Sequence, residues 1–139
     1  MNRAHHYNER GRDALPGHLG LEFTEVGPEA VHARLPVGPQ LMAPNGFLHA
    51  ATIIALADTS AGYGCVENLP PGAVGFTTVE LKSNFMGTAR EGTIECIARP
   101  AHLGRTTQIW DAEVSHHETG KTLALFRCTQ MILYPKAGS

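Results

Sequence analysis

Hydrophobic and polar positions change rhythm three times along this chain. Residues 1–15 are polar with a few helix formers, which predicts a short N-terminal helix or tail broken by Pro16-Gly17. Residues 19–26 and 30–37 read as two short strands joined at Gly27-Pro28. Val31, Ala33 and Leu35 alternate with His32 and Arg34, so one face of the second strand is buried. A loop follows at 38–47, marked by Pro39, Pro44 and Gly46. Residues 49–66 are different. They hold a stretch from Ala50 to Ala57 that is rich in small apolar residues and has no polar stripe, and with histidine neutral their single charged side chain is Asp58. A helix that is apolar all round is buried on most sides. At 1.5 Å per residue it would be about 25 Å long, a match to the width of a curved sheet. Gly62 and Gly64 are expected to mark its end.

The remainder alternates with period two. Val79, Leu81, Ser83 and Phe85 fall on one strand face and Glu80, Lys82 and Asn84 on the other. Further strands are expected at 93–99, 106–115 and 121–134, with connections at 87–92, 100–104 and 116–120. Four successive strands with short turns predict an antiparallel meander. Two strands, one apolar helix and four strands give the α+β class. The economical burial solution is an antiparallel sheet wrapped around a long central helix, in a single domain over 1–139.

Composition narrows the function. With 42% hydrophobic and 17% charged residues the chain can bury one real core. A net charge of -2 argues against nucleic acid as partner. No apolar run is long enough to span a bilayer, and the polar N-terminus lacks the apolar segment of a secretory signal, so a cytoplasmic protein is expected. Cys65, Cys96 and Cys128 are odd in number and scattered, which argues against disulfides and a thiolate zinc site. The eight histidines show no ligand spacing, so no metal is expected. No serine elbow or phosphate loop is present.

Asp58 is the strongest chemical signal. A carboxylate in a buried segment has a partner or a purpose, although structural networks also hold such acids. Asn45 and His49 bracket the helix start, where backbone N–H groups lack internal acceptors and can hold an oxyanion. His49 reads equally as a helix cap or core histidine, and Asn45 as a turn residue. Asp58 lies about two and a half turns further on, so a second copy of the chain could supply one half of a site.

The stretch Asn45-Gly46-x-x-His49, followed by Leu56-Ala57-Asp58-Thr59, resembles the hotdog-fold thioesterases of the phenylacetate-degradation (PaaI) and 4-hydroxybenzoyl-CoA thioesterase type. The segment from Thr78 to Phe85 is similar to that family's next strand, and Gly104-Arg105-Thr106 to its later turn. The pieces fall in family order over roughly residues 15–134. The resemblance implies a hotdog fold assembled as homodimers and often homotetramers, with active sites at the dimer interface. It implies hydrolysis of an aryl- or medium-chain acyl-coenzyme A thioester with no cofactor, coenzyme A being part of the substrate. Asp58 would be nucleophile or general base, the Ala50 N–H would hold the thioester oxygen, Asn45 and His49 would orient substrate or water, and Ser60 or Thr59 could assist. One departure is His49-Ala50-Ala51, where the family usually has His-Gly-Gly; the N–H survives, but the added methyls restrict close approach.

Lys82, Arg90, Arg105 and His102 are candidates for the phosphates of coenzyme A, against the plainer reading as solvated surface charges. Two other functions compete. A hotdog enoyl-CoA hydratase would place a histidine five residues after the acid, where this chain has Tyr63. A non-catalytic acyl-CoA binding module is favoured by Ala50-Ala51 and opposed by Asp58.

Overall fold

The computed structural model describes residues 1–136. Its N-terminus holds two short helices where the sequence predicts one: α1 (Ala4–Gly11) and α2 (Leu15–Leu19). The first helix already stops at Gly11, so Pro16 opens a helix instead of breaking one. It sits in the first turn of α2, where a missing N–H costs nothing. Gly20, at φ +92°, closes that helix in the left-handed conformation, which moves the first strand's start from 19 to 22.

Six strands follow: β1 (Glu22–Val26), β2 (Val31–Pro36), β3 (Gly75–Phe85), β4 (Thr93–Leu103), β5 (Thr107–His116) and β6 (Thr122–Leu133). The long helix α3 (Ala50–Glu67) lies between β2 and β3 in sequence. At 18 residues it is about 27 Å long. Its Leu56, Ala57, Ala61 and Cys65 are fully buried, against sheet residues such as Ile94, Trp110, Val114 and Leu123.

Gly62 and Gly64 do not end α3; both lie inside it. They are small because the sheet is close. A Cβ on Gly62 would meet the Phe76 ring at 3.1 Å, and one on Gly64 would meet the Trp110 indole at 2.3 Å. The indole is pinned in turn. Trp110 Nε1–H donates to Gln108 Oε1 (2.8 Å), and Gln108 Nε2–H donates to the Asn68 carbonyl at the end of α3 (2.9 Å). Gln108 and Gln130 are fully buried, and their hydrogen bonds make that burial tolerable.

The sheet is wholly antiparallel, in the order β1-β2-β4-β5-β6-β3. The expected meander is thus partly replaced: β4-β5-β6 is one, but β3 pairs with β6 at the far edge, and β4 takes β2 as its other neighbour. β4 also runs on to Leu103, with a bulge between Pro100 and His102 in what reads as a connection. A second bulge falls between Thr78 and Glu80. Beyond it Leu81, Ser83 and Phe85 lie opposite Cys128, Phe126 and Ala124, whose side chains are buried on the helix side. Val79 is the extra residue and drops out of the face the sequence assigns it.

The two sheet edges differ. The N-terminal segment covers β1: the Asn8 side chain both donates to and accepts from Phe23, and the Arg3 N–H donates to the Val26 carbonyl. β3 is 11 residues long, and nothing among the described residues pairs with its outer side. Val79, Leu81, Phe85 and Met86 stay exposed along it. A long, apolar, open edge is a template for another strand.

Candidate active site

Asp58 sits midway along α3, among residues that pack against the sheet. Its Oδ1 is buried and has no hydrogen-bond partner among the described residues. Desolvation pushes its pKa above the ordinary carboxylate value. Cys128 on β6 is close by: burial first, and then the Asp58 charge, push that thiol up to about 12. Asp58 opens on a cavity of about 400 Å³. Thr59, Gly62 and Tyr63 of α3 line it, with Phe76 and Thr78 of β3. Arg3, at the cap of α1, and His6, Tyr7 and Arg10 of α1 form the opposite wall.

The start of α3 is the second feature. His49 is the N-cap, and its Nδ1 accepts the Ala51 N–H at 2.9 Å. The His49 carbonyl accepts from Thr52 and Ile53. This leaves the exposed Ala50 N–H with no acceptor among the described residues, at the positive end of the helix dipole. Asn45 stands in the preceding turn, where its Oδ1 accepts the Phe47 N–H at 3.2 Å. The cap reading of His49 and the turn reading of Asn45 are both realised in the structure, and both side chains remain exposed.

The structure does not gather the other candidates around Asp58. Thr59 lines the cavity, but Ser60 is fully buried and its hydroxyl donates to the Leu56 carbonyl of its own helix at 2.7 Å. Lys82 lies on β3 opposite Arg127, on the sheet's outer face. Arg90 stacks over the Phe47 ring at 4.7 Å, beside the loop that leads into α3. Arg105 stacks over Tyr134 at 5.6 Å, in the β4–β5 turn. These three cations occupy separate places. Missed in the sequence were Tyr63 and the α1 wall. The spacing of Arg3, His6, Tyr7 and Arg10 was the available signal, since it sets them on one helical face.

Six antiparallel strands packed over one long buried helix, with a single acid at its middle and a free N–H at its start, are the hotdog fold. The profile of the thioesterase superfamily matches residues 45–123, which include both features. The chain is 31% identical over 129 residues to the 1,4-dihydroxy-2-naphthoyl-CoA hydrolase of Escherichia coli, covering 91% of each chain. A thioesterase structure from Haemophilus influenzae superposes with a TM-score of 0.88 at 25% identity, covering 98% of this chain and 94% of that one. The Escherichia coli PaaI structure shares the fold, with a TM-score of 0.81 at 22% identity over 94% and 91% of the two chains. The chain belongs to the thioesterase superfamily and is a thioester hydrolase. Among the described residues, no helix is long and apolar enough to cross a membrane.

Proposed function

We propose that the protein hydrolyses an aryl- or medium-chain acyl-coenzyme A thioester at a site shared between two copies of the chain. The observation that carries this reading is the unpartnered, desolvated Asp58 carboxylate facing a cavity of suitable size. The thioester oxygen accepts the Ala50 N–H, which stabilises the negative charge that develops there. Asp58 either attacks the carbonyl carbon, giving a mixed anhydride that water then opens, or takes a proton from the attacking water. In both routes the C–S bond breaks and coenzyme A leaves as a thiolate. A thiol pKa near 8.5 makes that departure easy without a metal or an acid.

Two copies are needed for a geometric reason. Ala50 and Asp58 are eight residues apart, about 12 Å along one helix axis. An attacking atom and an oxyanion donor must each lie about 3 Å from the same carbonyl group. In this reading Ala50 of one copy and Asp58 of another supply the two groups, which frees them from the spacing along a single helix. The open β3 edge, with its exposed Leu81 and Phe85, is the surface a homodimer would use, and dimers could pair again as homotetramers.

The test is thiol release from a panel of aryl- and alkyl-coenzyme A thioesters, run beside Ala50→Pro. Ala50 is the first helical residue, a position that accepts proline, and the extended His49 (ψ 135°) suits the residue before one. The substitution therefore removes one N–H and leaves the helix in place. The expected result is a kcat lower by about 10²- to 10³-fold with an unchanged Tm. Full activity in Ala50→Pro would remove that N–H from the mechanism.

A further inference from the structure

The α1 wall of the Asp58 cavity is more cationic than an acyl pocket requires. A pocket for a hydrocarbon acyl group is apolar, with a few polar groups that set specificity. Here one α1 face brings Arg3, His6 and Arg10. Arg3 is engaged: its Nε donates to Glu67 at 3.2 Å, and the Tyr7 hydroxyl donates to the same carboxylate at 2.7 Å. Those bonds fix α1 against the C-terminal end of α3. Arg10 makes no ion pair among the described residues, and His6 rests edge-on against the Tyr7 ring. The Tyr63 hydroxyl, five residues past Asp58, reaches α1: a Cβ on Gly11 would lie 3.0 Å from it. That hydroxyl also has no hydrogen-bond partner among the described residues. The Tyr63 ring itself is held, stacked on Tyr7 at 4.4 Å and tilted on Phe23 at 4.8 Å.

We infer that this end of the cavity selects acyl groups bearing a second, anionic group such as a terminal carboxylate, with Arg10 and the Tyr63 hydroxyl as the residues that read it and His6 beside them. The inference rests on the thioesterase reading above and names the substrate class within it. The placement supports the acyl group over coenzyme A as the bearer of the charge. α1 and Tyr63 line the same cavity as Asp58, whereas the phosphates of coenzyme A lie a full pantetheine arm away from the thioester carbon. Tyr63 stands about 7.5 Å from Asp58 along the helix axis, room for a short acyl chain or one ring. An arginine is suited to a carboxylate because its fork can bind both oxygens.

The experiment compares hexanoyl- with adipoyl-coenzyme A, and phenylacetyl- with (4-carboxyphenyl)acetyl-coenzyme A, using wild type, Arg10→Gln and Arg10→Glu. Arg10 is exposed, so both variants should fold, which thermal melts check. The expected result is a wild-type kcat/KM about tenfold higher for the carboxylated member of at least one pair. Arg10→Gln lowers kcat/KM for the carboxylated member about tenfold more than for its uncharged partner and so abolishes the preference, and Arg10→Glu reverses it. Equal cleavage within both pairs by wild type would overturn the inference while leaving the thioesterase reading intact. So would equal losses on charged and uncharged esters in the variants, which would assign Arg10 to the coenzyme A phosphates. Cleavage of no ester by wild type would overturn the reading itself, and the inference with it.

Discussion

Asp58→Asn should abolish thioester turnover and make the protein more stable. The activity loss should be at least about 10³-fold in kcat, since an amide can neither attack the carbonyl nor take a proton from water. The stability gain follows from burial. Desolvation raises the Asp58 pKa in the folded state, so the folded chain binds more protons than the unfolded chain at pH values between the two pKa values. Stability therefore falls as pH rises from the unfolded value of 3.8 through the raised folded value, and the loss persists at neutral pH. An amide carries no such penalty, so the Tm of Asp58→Asn at neutral pH should exceed that of wild type. The same shift should place the acid limb of the wild-type kcat/KM profile above pH 3.8. Wild-type turnover in the variant would contradict the mechanism. A lower Tm would contradict the burial argument.

Gly64→Ala should be the most damaging conservative change in the core. The added methyl would lie 2.3, 2.5 and 2.9 Å from three atoms of the Trp110 ring. Trp110 cannot retreat, because its indole N–H is bound to Gln108, and Gln108 to the backbone at Asn68. Overpacking of this kind costs about 3 kcal/mol at the upper end of its usual range. Alanine recovers about 1 kcal/mol of helix propensity over glycine. The net loss of about 2 kcal/mol should lower Tm by roughly 6–10 °C. Gly62→Ala should cost less, since the Phe76 ring stands 3.1 Å from the new Cβ and sits near the open edge. A Tm for Gly64→Ala equal to that of wild type would show that helix and sheet are not packed this closely.

These glycines show where the sequence runs out. Along one dimension a glycine pair after an apolar run signals a helix end, and nothing local announces that an indole from β5 needs the space. The helix itself was legible because Ala50 to Ala57 has no polar stripe, and β5 was legible because Trp110, Ala112 and Val114 fall on one face. The strand order was not, because period-two patterning gives faces and not neighbours. The bulge at Val79 shifted the β3 face for the same reason. Gln108 and Gln130 stand at buried positions of otherwise apolar alternation, which is a sign of a polar network that the structure then supplies. In the site, Asp58 stood out as the lone charge of residues 49–66, and the role of the Ala50 N–H came only with the family resemblance. Lys82, Arg90, His102 and Arg105 were each candidates for the phosphates in sequence, against a plainer reading as surface charges, and the fold spreads Lys82, Arg90 and Arg105 over β3, the loop into α3 and the β4–β5 turn.

The most direct test of a shared site is complementation. Asp58→Asn and Ala50→Pro proteins, each inactive, are unfolded together and refolded as an equal mixture, and thiol release from a cleaved acyl-coenzyme A is measured. If one copy gives the carboxylate and the other the N–H, half of the dimers are mixed, and each mixed dimer has one intact site of two. The account predicts about a quarter of wild-type activity from the mixture. A mixture as inactive as its components, with mixed dimers demonstrably formed, would contradict it.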